Sequence, residues 1–291
     1  MRSVAPTGAH GTVADMTYEL TGLAGKVAVV TGAGRMRSIG RPIAVALAQA
    51  GCDVVLTGTG RAPDRYPEDE KQAGWRDIES VADEVRAHGR RALTAVSDVS
   101  DHDAVEKLAG RVVSELGRCD FVINNAGAAR GDDRVPVVDL PFDTWKHIIE
   151  VNLHGTFAMS QMFGRVLLRQ GHGGAIVNIS SIAGRVASAN TAAYSASKAA
   201  IHALTSAMAK EVGPNGIRVN SILPGLIDTS RMEDMRANGL LDQAAQTLIP
   251  LRRTGSGDDV AAMAVFLCSD QGNWVTGQQI IVDGGHTSIA I

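Results

Sequence analysis

A glycine-rich turn near the start of the chain has the residue type and the setting that phosphate binding requires. The turn runs from Thr31 to Gly40 and also contains Gly32 and Gly34. It follows an apolar run at residues 26–30, typical of a buried parallel strand, and precedes a segment with helical spacing. Glycines let the backbone approach a pyrophosphate, which the N-terminus of the next helix then holds. An ordinary glycine-rich turn is the alternative, but the flanking strand and helix favour a dinucleotide site.

A tyrosine, a lysine and a serine form a second candidate group. Tyr194 and Lys198 are four residues apart on a helix predicted over 192–212, so both lie on one face of that helix. Ser181 precedes Tyr194 by thirteen residues and stands just after a predicted strand, 175–179. A Tyr-x-x-x-Lys spacing alone is common by chance, so the surrounding motifs decide what it indicates.

These residues belong to a larger set of motifs that occur in a fixed order. The set is Thr31-Gly32…Gly40, Asn124-Asn125-Ala126-Gly127, Asn152, Ser181, Tyr194-x-x-x-Lys198 and Pro224-Gly225. Together they resemble the short-chain dehydrogenase/reductase family, in particular its 3-oxoacyl-carrier-protein reductase branch, over about residues 23–287. The resemblance implies an α/β fold: a Rossmann-type, doubly wound, parallel seven-stranded sheet with helices on both faces.

The resemblance implies a catalytic set of four residues. Tyr194 would be the general acid/base that exchanges a proton with the substrate oxygen. A free tyrosine has a pKa near 10, so Lys198 would lower that pKa by placing a cation beside the phenolate. Lys198 would also hold the nicotinamide ribose, Ser181 would hydrogen-bond the substrate oxygen, and Asn152 would hold a water that relays protons to Lys198. The adjacent Ser180 is expected to be scaffold.

The resemblance also implies that NAD or NADP binds at the carboxyl ends of the strands. Asn124 is expected to brace the central strands there. Asp98 would meet the adenine, although a cap on the next helix is an alternative role for it. No metal is predicted, because the histidines lack ligand spacing. The implied cofactor-binding residues are Gly32, Gly34, Arg37, Ser38, Ile39, Gly40, Thr57, Gly58, Arg61, Asp98, Val99, Asn125, Ala126, Gly127, Tyr194, Lys198, Pro224, Gly225, Ile227 and Thr229.

One feature of the sequence departs from the family pattern, and another bears on the choice between NAD and NADP. The glycine turn is two residues longer than the family pattern T-G-x-x-x-G-x-G, and Ser38 stands where the middle glycine belongs. An NAD site needs a carboxylate at the end of the second strand, whereas Asp53 opens that strand. We therefore expect a preference for NADP, the alternative being that the basic residues near this site face solvent. The arginines that suit a 2′-phosphate are Arg35, Arg37 and Arg61.

The elements that must position these residues follow from hydrophobic periodicity. Strands and helices alternate strictly, which predicts right-handed crossovers and a parallel sheet. Ligands of such sheets bind beyond the carboxyl ends of the strands. The polar segment 58–74 is expected to be a long surface loop. Strands are predicted at 26–30, 53–57, 92–96, 121–123, 175–179, 217–222 and 279–282, and helices include 39–50, 143–169, 192–212 and 258–269.

Composition excludes several other classes of protein. The formal net charge is −3, from 28 basic and 31 acidic residues, which gives no electrostatic footprint for nucleic acid. Three cysteines without metal spacing argue against a disulfide framework or a zinc module and fit a cytoplasmic protein. No apolar run approaches the roughly 18 residues of a membrane span. Residues 1–22 are expected to be a flexible tail without the apolar region of a signal peptide, and 23–291 a single catalytic domain.

The expected function is hydride transfer between nicotinamide and the carbinol or carbonyl carbon of a secondary alcohol or ketone, such as a 3-oxoacyl compound, a sugar or another small carbonyl. Residues 228–255 lack strong apolar periodicity and are expected to form a mobile substrate lid. The family implies a homotetramer or a homodimer. An enoyl reductase is disfavoured because that branch separates its tyrosine and lysine by six residues, and a non-catalytic dinucleotide-binding regulator remains the other alternative.

Overall fold

A computed structural model describes residues 19–288 of the chain. Of the tail predicted at 1–22, residues 1–18 thus lie outside the described residues. Residues 19–22 lie against the segment before the last strand. The backbone N–H of Thr21 donates to Oε1 of Gln271 at 2.9 Å, and Nε2 of Gln271 donates to the carbonyl of Glu19 at 3.1 Å. These hydrogen bonds attach the last residues of the predicted tail to the sheet domain.

One parallel sheet of seven strands carries the fold, which confirms the predicted architecture. The strand order is β3-β2-β1-β4-β5-β6-β7, so the direction of winding reverses between β1 and β4. Each predicted strand lies within two residues of its observed bounds. The strands are β1 (Val27–Val30), β2 (Asp53–Gly58), β3 (Ala92–Val96), β4 (Phe121–Asn124), β5 (Gly174–Ile179), β6 (Ile217–Pro224) and β7 (Gln279–Val282).

Helices cover both faces of the sheet and bury a separate apolar core on each. Ile43 and Leu47 belong to the core on one face, and Val112 and Phe163 belong to the core on the other. All four residues of β1 are buried because both of its faces are covered. The helices are α1 (Gly40–Gln49), α2 (Glu68–Gln72), α3 (Ile78–Ala87), α4 (His102–Leu116), α5 (Phe142–Ile149), α6 (Gly155–Gln170), α7 (Ala192–Val212), α8 (Glu233–Ala237), α9 (Leu240–Leu248) and α10 (Gly257–Cys268).

Helix ends follow local sequence signals. Gly117 ends α4 with φ of 80° and Gly171 ends α6 with φ of 69°, a left-handed conformation that glycine adopts without strain. Asp101 caps the start of α4, because its carboxylate accepts the N–H of Ala104 at 3.1 Å. Ser256 and Asp259 cap α10 reciprocally.

The structure refines three predicted segments. The helix predicted over 143–169 consists of α5, a π-helical turn at Glu150–His154, and α6. Such turns often mark functional sites, and this one carries Asn152. The loop predicted over 58–74 contains a 3₁₀ turn, Pro63–Arg65, and the short helix α2. The predicted lid, 228–255, contains α8 and α9.

Candidate active site

A cleft of about 760 Å³ opens at the carboxyl ends of β1 and β4, where the winding of the sheet reverses. Tyr194 and Lys198 line it, whereas Asn152 and Ser181 are not among its lining residues. Gly40, Pro224, Gly225 and Ile227 also lie outside the lining. The cofactor-binding residues predicted from the sequence that do line the cleft are Gly32, Gly34, Arg37, Ser38, Ile39, Thr57, Gly58, Arg61, Asp98, Val99, Asn125, Ala126, Gly127, Tyr194, Lys198 and Thr229.

The glycine turn is held against the end of β4. Nδ2 of Asn125 donates to the carbonyl oxygens of Thr31 and Gly32, at 2.8 and 3.1 Å. Gly32 has φ of 65°, and a Cβ there would lie 2.8 Å from Cα of Ala126. A Cβ at Gly40 would lie 2.6 Å from Nδ2 of Asn125. Because a side chain is excluded at Gly32, which lines the cleft, bare backbone faces the cleft there, and this is the surface a pyrophosphate needs.

Ser38 accounts for the missing middle glycine of the family pattern. Its hydroxyl donates to the carbonyl of Arg35 at 2.9 Å and accepts the N–H of Arg41 at 3.1 Å. The side chain thereby closes the longer turn and joins it to the first turn of α1.

Asn124 braces the central strands, as predicted. Its Nδ2 donates to Oδ1 of Asn178 on β5 at 2.8 Å and to the hydroxyl of Ser160 on α6 at 2.9 Å. Asn178 in turn donates to the hydroxyl of Thr205 on α7 at 2.9 Å. This buried polar chain connects two strands with the helices that carry the catalytic candidates.

Residues 59–77, here named the strap, fold over the longer glycine turn. Nε1 of Trp75 donates to the carbonyl of Gly34 at 2.6 Å. The carboxylate of Glu70 accepts the N–H of Met36 at 2.9 Å, and Asp69 accepts Nε of Arg37 at 2.9 Å. The longer glycine turn, where the sequence departs from the family pattern, therefore contacts acidic residues of the strap.

Two of the three predicted phosphate-binding arginines already meet carboxylates of the described residues. Nη1 of Arg61 lies 3.0 Å from Oε2 of Glu70, and its Nη2 lies 3.5 Å from Oδ1 of Asp77. Arg37 pairs with Asp69 and with Glu233. The predicted side chains do reach the cleft, but Arg37 and Arg61 do so as members of ion pairs.

Asp77 was missed from the sequence, although it lines the cleft. It follows the end of β2 by nineteen residues, and no carboxylate stands at the strand end itself. Its side chain lies on the bare backbone of Gly34, so that a Cβ there would be 1.4 Å from Oδ1 of Asp77. Asp77 is also one of three non-glycine residues with positive φ among residues 19–288. The acidic character of the loop was the available signal.

Tyr194 is surrounded by cations. Nζ of Lys198 lies 5.8 Å from the centre of its ring, and the guanidinium carbons of Arg134 and Arg231 lie at 4.8 and 5.6 Å. Burial would raise the pKa of Tyr194, but the charges of Lys198 and Arg231, a hydrogen bond with Ser181 and the charge of Arg134 together hold that pKa below its ordinary value.

Lys198 is held in place by the strand beside it. Its ammonium donates to the carbonyl of Ile179, at the end of β5, at 2.8 Å. Burial lowers the pKa of Lys198, and the positive charge of Arg231 adds to this, while the negative phenolate of Tyr194 acts in the opposite direction. Ser180 donates to the backbone carbonyl of Lys198 at 3.0 Å, which is the scaffolding contact expected for it.

Asn152 contacts the loop after β4 and the tyrosine helix. Its Oδ1 accepts the N–H of Ala128 at 2.8 Å, and its Nδ2 donates to the hydroxyl of Ser197 at 3.0 Å. The π-helical turn therefore positions a side chain that connects these two segments. The hydroxyl of Ser181 accepts the N–H of Ala183 at 3.1 Å, which orients that oxygen near Tyr194.

Asp98 makes the local contacts of a turn. One carboxylate oxygen accepts both the N–H and the hydroxyl of Ser100, at 2.9 and 2.6 Å. The cap of α4 itself is Asp101. Asp98 is exposed and lines the cleft, so this contact leaves its second oxygen open to the space where the adenine is predicted.

Comparison with known proteins identifies the family. A family model described as enoyl-(acyl carrier protein) reductase matches residues 32–287. L-rhamnose 1-dehydrogenase (NAD(P)(+)) of Sphingomonas sp. strain SKA58 is 35% identical over 263 residues, 90% of this chain and 96% of that protein. A 3-oxoacyl-[acyl-carrier-protein] reductase of Staphylococcus aureus is 37% identical over 260 residues, 89% of this chain and 97% of that protein. The chain belongs to the short-chain dehydrogenase/reductase family.

A solved structure extends the likeness of this short-chain dehydrogenase to the fold. Carveol dehydrogenase from Mycobacterium avium, in complex with NAD, has a TM-score of 0.82 and 31% identity, covering 91% of this chain and 99% of that one. The protein is an NAD(P)-dependent oxidoreductase. In residues 19–288 no helix is long and apolar enough to span a membrane.

The cleft of the short-chain dehydrogenase fits its dinucleotide. The glycine turn, the end of β2, Asp98 and the segment 125–127 form a continuous lining of backbone and small or polar side chains. A Cβ at Gly127 would lie 3.2 Å from Oδ1 of Asn152, so the wall near Tyr194 is bare backbone as well. These residues would hold the cofactor along the carboxyl edge of the sheet.

Proposed function

We propose that Tyr194 is the general acid/base of an alcohol dehydrogenase or carbonyl reductase that acts on a secondary alcohol or ketone. The observation that carries this proposal is the position of the Tyr194 ring, which lines the cleft among three cations that lower the pKa of its hydroxyl. When bound, nicotinamide supplies or accepts the hydride. The protein contributes the proton at the Tyr194 oxygen and the orientation of the reactants.

The neighbours of Tyr194 have distinct proposed tasks. Lys198 stabilises the phenolate, and its bond to the carbonyl of Ile179 fixes where the charge lies. Ser181, one of the groups that lower the pKa of Tyr194, would orient the substrate oxygen toward the same hydroxyl. Asn152 would complete a proton relay behind Lys198, and its contacts with Ala128 and Ser197 support a fixed position for the π-helical turn.

We further propose that residues 23–291 act as one catalytic domain with a lid at 228–255. Helix α8 of the lid reaches both walls of the cleft, because Glu233 pairs with Arg37 of the glycine turn and Asp234 pairs with Arg130 after β4. These pairs would hold the lid over the substrate and exclude water from the reacting atoms.

The proposal includes a homotetramer or a homodimer in the cytoplasm. Large apolar side chains that are exposed in the single chain support association: Trp274 is 96% exposed and Phe142 is 70% exposed. The three cysteines are free and buried, which suits a reducing compartment.

Reduction of a carbon–carbon double bond is the rival activity, since the matched family model is described by enoyl reductases. Three residues stand between Tyr194 and Lys198, compared with six in the enoyl reductase branch, and this spacing favours the alcohol reaction. A regulator that binds a dinucleotide without catalysis is a second rival, against which the assembled group of Tyr194, Lys198 and Ser181 argues.

A single screen distinguishes these functions. The purified enzyme is offered secondary alcohols, ketones and enoyl thioesters, each with NAD(H) and NADP(H), and the nicotinamide absorbance is followed. Turnover of alcohols and ketones that Tyr194→Phe abolishes supports the proposal. Turnover of enoyl thioesters alone would replace it with the rival activity. Dinucleotide binding without turnover across the whole panel would identify a regulator.

A further inference from the structure

Two arginines next to Tyr194 are not members of the predicted catalytic set. Arg134 comes from the loop after β4 and Arg231 from the start of the lid, so two separate segments bring them to the same tyrosine. Both line the cleft and both are at most partly exposed. A guanidinium group is costly to bury unless an anion compensates its charge.

Neither arginine is fully compensated by the described part of the chain. Arg231 lies within 4.0 Å of no carboxylate of residues 19–288, and its Nη1 donates instead to the neutral carbonyl of Ala128 at 2.6 Å. Arg134 has Asp133 as its carboxylate neighbour, at 3.6 Å, and its Nε makes no hydrogen bond with the residues described. Arg130, farther out, is paired with Asp234. The surroundings of the Tyr194 ring are therefore positive.

We infer that the substrate carries an anionic oxygen group, a carboxylate or a phosphate, which Arg134 and Arg231 bind beside the reacting carbon. This inference rests on the proposed function and names the substrate class for it. Guanidinium groups bind such anions through two parallel hydrogen bonds, which position as well as attract. An anion on Arg134 and Arg231 would place the neighbouring carbinol or carbonyl oxygen against Tyr194.

Matched pairs of compounds test the inference. Hydroxy acids are compared with their methyl esters, and hydroxyalkyl phosphates with the corresponding free diols, at fixed cofactor concentration. We expect kcat/KM to be at least tenfold higher for the charged member of the preferred pair. The preferred pair separates carboxylate from phosphate. Equal kcat/KM within every pair would overturn the inference while the proposed function stands, whereas no turnover in any pair would count against the proposed function.

Two variants assign the effect to residues. Arg134→Gln and Arg231→Gln should each raise KM for the charged substrate about tenfold or more, and leave KM for its neutral partner nearly unchanged. Arg169→Gln, at an exposed site on α6 outside the cleft, is the matched control. Kd for the cofactor is measured in parallel by tryptophan fluorescence. A loss of cofactor binding in Arg231→Gln with unchanged substrate KM would assign Arg231 to the pyrophosphate and overturn its part in the inference.

A second inference follows independently from the position of Asp77. Its carboxylate lies beside Gly34 of the glycine turn and Gly58 at the end of β2, which is where an NAD site requires an acidic group. It is 7% exposed and lines the cleft. Arg61, whose Nη2 lies 3.5 Å from Asp77, is paired more closely with Glu70, at 3.0 Å.

We propose that the strap supplies, through Asp77, the acceptor for the 2′-hydroxyl of the adenosine ribose, and that the enzyme therefore selects NAD over NADP. A 2′-phosphate would meet the negative charge of Asp77, while Arg37 and Arg61, two of the three arginines that could attract it, are already paired. This choice is the reverse of the preference that the arginines alone predict from the sequence. No carboxylate stands at the end of β2, and Asp77, nineteen residues further along the chain, would bind the ribose in its place.

Binding measurements without turnover test this proposal. Titrations of NAD and NADP, followed by tryptophan fluorescence, should give a Kd at least tenfold lower for NAD. Asp77→Asn should raise Kd for NAD about tenfold and lower Kd for NADP, so that the preference for NAD is lost or reversed. Asp64→Asn, at an exposed site on the same strap, is the matched control. Tighter binding of NADP by the wild type, or equal losses for both cofactors in Asp77→Asn, would reject it.

A second variant distinguishes loss of the carboxylate from a folding defect. Asp77 has φ of 54°, which glycine tolerates, so Asp77→Gly removes the carboxylate while it relieves the backbone. We expect the same loss of selectivity in Asp77→Gly with an unchanged or higher melting temperature. Retained tenfold selectivity in a folded Asp77→Gly protein would show that the carboxylate does not choose the cofactor.

Discussion

The indole nitrogen of Trp75 donates a 2.6 Å hydrogen bond to the carbonyl oxygen of Gly34. This contact joins the strap to the turn that is expected to bind the pyrophosphate. The ring also lies 5.0 Å from the guanidinium of Arg41, which is itself paired with Glu84 of α3. The turn is therefore fixed from outside the βαβ unit to which it belongs.

Trp75→Phe tests whether the strap fixes the turn. The change keeps an aromatic ring but removes the donor, and a neutral hydrogen bond contributes about 0.5–1.5 kcal/mol. We expect Kd for NAD and for NADP to rise together, about 2-fold to 13-fold by that free energy, and amide exchange at residues 34–37 to quicken. Unchanged exchange in the turn would mean that the strap only covers it. Trp274→Phe, at an exposed site before β7, is the control.

Tyr194→Phe tests the proton donor. The substitution removes one oxygen and leaves the ring that packs beside the arginines. Loss of general acid/base catalysis should lower kcat on the order of 10²–10⁴-fold, with cofactor binding nearly unchanged. Steady-state kinetics and cofactor titration provide both numbers. Turnover like that of the wild type would falsify the assignment of Tyr194.

The pH dependence of the reaction rates should reflect the cations around Tyr194. Alcohol oxidation needs the phenolate, so its rate falls as pH decreases through the pKa of Tyr194. Carbonyl reduction needs the protonated hydroxyl, so its rate falls as pH increases through the same pKa. Since Arg231 is one of the charges that lower this pKa, Arg231→Gln should move the acid limb of oxidation to higher pH. An unmoved limb, as expected for the control Arg169→Gln, would remove Arg231 from this role.

Asn124→Ala should destabilise the sheet domain. The substitution breaks the bonds to Ser160 and Asn178 and leaves those buried groups without a partner. We expect the free energy of unfolding to decrease by about 1–3 kcal/mol in denaturant titrations. Asn273→Ala, at an exposed site, should change it by less than about 0.5 kcal/mol. A loss no larger than that of the control would mean that the polar chain does not contribute to stability.

Hydrogen exchange should show whether the segment 228–255 moves. Amides of 232–248 are expected to exchange faster than those of β5 in the free enzyme and to gain protection with cofactor and a substrate analogue. Asp234→Asn breaks the ion pair with Arg130 and should reduce the protection gained. Protection equal to that of β5 before any ligand is added would instead describe a rigid cover.

Local chemistry and periodicity were sufficient for the architecture. Apolar runs of four to eight residues that alternate with helical patterns leave few arrangements other than a parallel sheet, so the strands could be placed to within two residues. The placement of Tyr194 and Lys198 could also be predicted, because residues four apart on an α-helix lie on the same face. The sequence also correctly excluded Asp53 as a carboxylate at the cofactor end of the second strand. It opens β2 and pairs there with Arg90 and Arg91, at the edge away from the cleft.

Contacts between distant segments could not be read in this way. Asp77 reaches the end of β2 because the strap folds back over nineteen residues, and nothing in the local sequence states where a long loop returns. The charge state of the site has the same origin. Arg61 could bind a phosphate if no carboxylate lay beside it. In the structure Glu70 and Asp77 both lie beside it and compensate its charge. Arg134 and Arg231 are 97 residues apart in sequence and share one tyrosine only because the segment that carries Arg231 returns to the cleft.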